Sequence, residues 1–129
     1  MNIFTQSKQV MKEVFEQTTD VVNINQANMY INAVQEEFQE LKTAYKNKDY
    51  VEITDGIIDV LVTAINLGIS LNIDLEGAWM EVLQSNMAKI DPATGKVNKR
   101  QDGKVIKPQG WKAPELEKFL PPVLRILNI

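Results

Sequence analysis

Apolar residues recur at spacings of three and four through the first ninety positions, broken only by short polar stretches. That rhythm belongs to α-helices with one buried face. It predicts a first helix over 3–17, with Phe4, Val10, Val14 and Phe15 inward, closed by Thr18-Thr19-Asp20. A second helix is expected over 26–46, with Tyr30, Val34, Phe38, Leu41 and Tyr45 on one face. Asn47-Lys48-Asp49 leaves room for a short turn only, so a third helix over 50–71 returns antiparallel to the second. Its inner face is read as Ile53, Ile57, Leu61, Ala64, Gly68 and Leu71. Asp74 carries the carboxylate to cap a fourth helix over 75–90, since it can accept the free amide protons of a first turn.

Past Ile90 the character changes. Asp91-Pro92 and Thr94-Gly95 signal turns, and a Lys/Arg-rich stretch runs to Trp111. Pro114 opens a last short helix over 115–120, which Pro121-Pro122 stops. The reading is all-α: a bundle of four to five helices with an irregular, basic C-terminal arm. The 129 residues make one domain. Residues 1–90 are the bundle, 91–112 the arm and 113–129 a tail.

The chain has no cysteine and no histidine. Disulfides, thiolate metal sites and histidine acid–base chemistry are therefore excluded, and any metal must be held by oxygen. Oxygen ligands suit a hard cation, Mg²⁺ or Mn²⁺. A net charge of -3 argues against a stable nucleic-acid partner. The most apolar stretch, 57–71, is interrupted by Asp59, Thr63 and Asn66, and the N-terminus runs straight into a helical pattern. No membrane contact is expected, and a soluble, cytoplasmic protein is the plain expectation.

The acids carry the chemistry. On the second helix Glu36 and Glu40 lie about 40° apart around the axis, with Glu37 within about 100° of Glu36. On the third, Glu52, Asp55 and Asp59 stand at i, i+3 and i+7, an arc of roughly 60°. Facing helices with three acids each bring like charges together, and like pairs one turn apart already cost about 0.2–0.5 kcal/mol. Bound Mg²⁺ is the natural counter-charge in such a bundle. The plainer reading is a pair of solvated acidic faces. In that case the protein is a non-catalytic helical binding module whose basic arm grips phosphates, weakening with any added salt.

The order of the motifs resembles the all-α nucleotide pyrophosphatase superfamily, which includes MazG-type proteins, dimeric dUTPases and phosphoribosyl-ATP pyrophosphohydrolases. Glu37-Phe38-Gln39-Glu40 is similar to its ExxE helix and Glu52-Ile53-Thr54-Asp55, followed by Asp59, to its ExxD helix. EVLQSNMAKI (81–90) and DGKVIKPQGWKAPEL (102–116) look like the SNMxK and DGKVxK elements of a MazG-like subgroup. The chain departs from the pattern at Gly56, which stands where relatives place the Glu three residues before an Asp equivalent to Asp59.

The resemblance implies a Mg²⁺-dependent hydrolase releasing pyrophosphate and a nucleoside monophosphate from a nucleoside triphosphate, with phosphoribosyl-ATP as an alternative substrate. The metal set it implies is Glu37, Glu40, Glu52, Asp55 and Asp59, with Asp55 and Asp59 ranked above Glu52. Glu36 is the expected general base. Asn86 and Lys89, one turn apart, and Lys104 and Lys107, flanking Val105-Ile106, are the expected phosphate contacts. Trp111 is read as stapling the arm rather than covering a base. A homodimer or homotetramer is expected.

Overall fold

Asparagine and aspartate side chains set where the first three helices begin. Asn2 accepts from Thr5 N at 2.9 Å, Asn23 from Gln26 N at 3.0 Å and Asp49 from Glu52 N at 3.2 Å, each satisfying an amide that the first helical turn leaves free. In the computed structural model, which describes residues 2–127, these caps open α1 (Ile3–Glu13), α2 (Ile24–Lys46) and α3 (Tyr50–Ser70). There follow α4 (Leu75–Met87), β1 (Asn98–Lys99), β2 (Val105–Ile106), a 3₁₀ turn (Glu117–Phe119) and α5 (Pro122–Leu127). The all-α reading holds.

Several boundaries differ from the sequence reading. α1 stops at Glu13 rather than residue 17, and Glu16 takes a left-handed φ of 53° that no helix continues through. α2 starts two residues early because Asn23 caps it. α4 ends at Met87, three residues short of the expected 90. The last expected helix is only the 3₁₀ turn, and Pro122, read as a stop, instead opens α5, where its missing N–H costs nothing.

The described residues divide into two compact units: α1, α2, α3 and α5 in one, residues 76–119 in the other. In the first, α2 and α3 form an antiparallel hairpin. Lys48, at φ 53°, and Asp49 reverse the chain, their amides bonding back to Tyr45 O and Ala44 O at 3.1 Å each. The core is Met11, Tyr30, Ile65 and Ile69, with Phe4, Ala33, Leu67 and Leu75 packed around it. Gly68 makes room for Leu75, whose Cδ1 would lie 2.6 Å from an added Cβ. Gln26 ties the α1–α2 loop to the end of α3, its Nε2 donating to Thr18 O and to the buried Ser70 Oγ at 2.8 Å each.

The inner faces are only partly those expected. Met11, not Val10, Val14 or Phe15, is the buried residue of α1. On α2, Tyr30 is buried, but Phe38 and Tyr45 are exposed. On α3, Gly56, Ile65, Gly68 and Ile69 face inward, while Ile57 and Leu61 face solvent. α3 is also long and apolar enough to cross a membrane by length and composition alone. It nevertheless packs along α2 and carries the acids described below.

In the second unit the arm is less irregular than expected. β1 and β2 pair antiparallel, Asn98 opposite Ile106 and Lys99 opposite Val105. Asp102 closes the turn between them, accepting from Arg100 Nη2 at 2.7 Å and from Lys104 N at 3.1 Å. The guanidinium, then that amide, hold the Asp102 carboxyl below its usual range.

Candidate active site

One glycine decides how closely the two acidic helices meet. A Cβ on Gly56 would lie 3.1 Å from Leu41 Cβ and 3.2 Å from Leu41 Cα, so hydrogen at this position lets α3 press against the backbone of α2. Gly56 lies between Asp55 and Asp59, and Leu41 directly follows Glu40. The close approach therefore brings the acids of one helix against those of the other. Any side chain at 56 would require Leu41 to give way by a few tenths of an ångström.

Four of the six expected acids interact. Burial pushes the Glu37 carboxyl above its ordinary 4.5, and the negative charges of Glu40, Asp59 and Asp55 push it further. The Glu40 carboxyl also lies near enough to share a proton with it. Asp59 is raised above 3.8, by burial first, then by the charge of Asp55 and the proton the two can share, and then by Glu40; contact with Glu37 pulls the other way. Oε2 of Glu37 is buried without any hydrogen-bond partner. A carboxylate oxygen in that state is costly unless a donor or a cation meets it.

The other two acids are not among the charges that act on Glu37 and Asp59. Glu52 lines a shallow polar pocket with Gln39, Glu40, Thr43, Asn47 and Asp49 at the α2–α3 turn. Glu36 is exposed on α2, next to Glu37. Among the described residues, no three acids are drawn tightly enough to cage an ion as their side chains stand.

In the second unit, three of the expected phosphate contacts cluster around Trp111. Lys89 Nζ donates to Asn86 Oδ1 at 3.0 Å, and the ammonium groups of Lys107 and Lys89 lie 4.6 and 5.6 Å from the indole centroid. The indole Nε1 donates to Ser85 O at 2.8 Å, which fixes the arm to α4. Trp111 is the staple the sequence suggested, and it also gathers two cations on its ring. Lys104 is exposed on the hairpin, outside this cluster.

Sequence reasoning passed over Asn66. It is 3% exposed, its Oδ1 has no hydrogen-bond partner, and it lines a cavity between α1 and α3. The available signal was an amide side chain in the middle of an otherwise apolar run.

Residues 4–86 match the family model described as phosphoribosyl-ATP pyrophosphohydrolase. The match takes in all four interacting acids and Asn86, and leaves Lys89, Lys104 and Lys107 outside. No curated protein matches the chain.

Proposed function

The chain belongs to the phosphoribosyl-ATP pyrophosphohydrolase family, and from that premise we propose that it is a Mg²⁺-dependent enzyme splitting a nucleoside triphosphate into a nucleoside monophosphate and pyrophosphate. It is a pyrophosphohydrolase of the MazG-like all-α superfamily, a hydrolase of phosphoric anhydrides. The observation that carries the metal assignment is the buried, unpartnered Oε2 of Glu37 among three further carboxylates. Hard oxygen donors with a surplus of negative charge fit Mg²⁺, with Mn²⁺ as a substitute. Glu37, Glu40, Asp55 and Asp59 would hold it, and Glu52 lines the pocket at the turn together with Glu40.

When bound, Mg²⁺ supplies charge neutralisation for phosphate oxygens and lowers the pKa of a coordinated water. The chain's own residues do the rest. Glu36, exposed beside Glu37, accepts the proton of the water that attacks the α-phosphorus. Lys89 and Lys107, gathered on Trp111, contribute point charges for phosphate oxygens, with Asn86 orienting Lys89. Lys104 adds a further charge from the hairpin. An assembly of two or four copies would cover apolar side chains left exposed just past α1 and on α3, among them Val14, Phe15 and Ile57.

The family match favours phosphoribosyl-ATP itself as a second reading of the substrate. Both substrates are cut between the α- and β-phosphorus. A pyrophosphate-release screen over the canonical nucleoside triphosphates and phosphoribosyl-ATP, with Mg²⁺, Mn²⁺ or EDTA, tests the proposal. Pyrophosphate as first product from at least one substrate, lost in EDTA, is expected. Orthophosphate as first product, or turnover undiminished in EDTA, contradicts it.

A further inference from the structure

The arm is held to α4 at two places one helical turn apart. The Trp111 indole donates to Ser85 O at 2.8 Å. Glu81, four residues before Ser85, accepts from Glu115 N at 3.2 Å and pairs with Lys118 at 3.6 Å. Trp111 also closes a turn of its own: its amide bonds to Pro108 O at 3.1 Å, with Gly110 at a left-handed φ of 82°. Backbone and ring nitrogen are thus both tied, and the half-buried indole is fixed in one orientation. Lys107 and Lys89 sit 4.6 and 5.6 Å from its centroid. Lys107 directly precedes the Pro108 turn, and Lys89 comes four residues after Ser85. Two cations on one ring repel each other, and among the described residues no carboxylate pairs with either. Other cations of this unit are matched, Arg100 by Asp102 and Lys118 by Glu81.

We infer that Trp111 is a positioning residue: it holds Lys89 and Lys107 as a pair that receives the pyrophosphate end of the substrate, and it acts on that end only through them. The inference deepens the proposed function and rests on it. An ammonium group carries three donors. A ring face occupies only part of that set, so each lysine keeps donors for phosphate oxygens. A free lysine side chain loses rotamer freedom when it meets an anion, and one already settled on a ring loses less. The mutual repulsion of the two ammonium groups is relieved when an anion joins them. Pyrophosphate, with charge on two phosphorus centres, matches two ammonium groups better than a single phosphate does.

The test sets Trp111→Phe, which keeps an aromatic face but drops the bond to Ser85, against Trp111→Leu, which drops both. Kinetics with Mg²⁺ are read together with inhibition by inorganic pyrophosphate. Trp111→Leu should raise KM roughly 5–30-fold and weaken the inhibition by a similar factor, with kcat nearly kept. Trp111→Phe should recover most of both. In a Lys89→Ala/Lys107→Ala background, Trp111→Leu should change neither any further. Wild-type KM and inhibition in Trp111→Leu overturn the inference. So does a Trp111→Phe protein as impaired as Trp111→Leu, or a Trp111→Leu effect undiminished without the lysines; either marks Trp111 as a staple alone. A second measurement leaves Trp111 in place, in case Trp111→Leu does not fold. The chain has two tryptophans, so Trp79→Phe keeps Trp111 as its one indole. Pyrophosphate added to this protein without metal should shift the indole emission in a saturable way that sodium chloride does not reproduce. Emission indifferent to pyrophosphate overturns the inference. If the wild type hydrolyses no nucleotide, the proposed function fails, and this titration still decides whether Trp111 and its lysines receive pyrophosphate.

Discussion

Glu37→Gln and Asp59→Asn are each expected to lower kcat by on the order of 1,000-fold, about 4 kcal/mol of barrier, without destabilising the protein. The loss in activity would follow from taking one charge out of a cluster in which Glu37, Glu40, Asp55 and Asp59 interact and which is proposed to hold the metal. The stability follows from the same proximity. Both carboxyls are raised above their ordinary values, by burial and by each other's neighbours, so the folded protein holds these protons more tightly than the unfolded chain. Stability from these two groups is therefore highest at low pH. It falls as pH rises from the ordinary carboxylate range through the raised values, and at neutral pH the metal-free wild type carries the whole cost. Neutral amides do not carry it. Urea midpoints for metal-free wild type and variants should converge near pH 4 and separate at pH 7, with the variants the more stable. Glu52→Gln serves as the comparison, because Glu52 lies at the turn, and its kcat should change by less than about tenfold. Near wild-type kcat in Asp59→Asn would remove Asp59 from the centre.

Gly56→Glu should be worse than either acid substitution for stability, although it restores the family's glutamate three residues before Asp59. The added Cβ meets Leu41 Cβ at 3.1 Å and Leu41 Cα at 3.2 Å, and backbone cannot rotate out of the way as a side-chain tip can. Overpacking of this kind costs about 1–3 kcal/mol, and an extra carboxylate forced into the helix contact adds to it. The helices must part, and as they part Glu37 and Glu40 move away from Asp55 and Asp59. A loss of about 3 kcal/mol or more in chemical denaturation is expected, together with a fall in kcat of at least about 100-fold. A Gly56→Glu protein with wild-type stability and higher activity would mean that the ExxD glutamate belongs at 56 and that the close helix contact is incidental.

The antiparallel α2–α3 hairpin was legible because its signals are local. Asn47-Lys48-Asp49 is too short for anything but a reversal, and Asp49 announces a helix start by its own chemistry. The inner face of α3 was not legible, because Glu52, Asp55, Asp59, Thr63, Asn66 and Ser70 form one polar stripe within about 80° of arc, which a period of 3.6 reads as the outer face. Asn66 and Ser70 of that stripe are buried, with Gly56 beside it, while Ile57 and Leu61 on the apolar side are exposed. α1 misled for a different reason: Val14 and Phe15 look buried only on a helix that runs to residue 17, and α1 ends at Glu13, while Val10 lies on α1 and is exposed.

The acids were legible as two groups on facing helices, Glu36, Glu37 and Glu40 on one and Glu52, Asp55 and Asp59 on the other. What sequence could not supply was the depth of Glu37 relative to Glu36. One position of helical rotation separates a half-buried carboxylate with an orphaned oxygen from an exposed one. Asn66 escaped notice because an amide in an apolar run reads first as an interruption of hydrophobicity, and only its burial without a partner gives it meaning.

The central claim is that the Glu37–Glu40–Asp55–Asp59 cluster is a divalent-metal centre, and thermal unfolding with and without Mg²⁺ tests it without needing a substrate. Ligand that binds only the folded chain stabilises it by about 2.7 kcal/mol at a hundredfold excess over its dissociation constant. At neutral pH, Mg²⁺ titrated into metal-free wild type should raise Tm in a saturable way that NaCl of equal ionic strength does not reproduce. The same titration should leave Glu37→Gln and Asp59→Asn nearly unmoved. A wild-type Tm indifferent to Mg²⁺, or a rise of equal size in the wild type and both variants, would place these carboxylates on a solvated face and contradict the account.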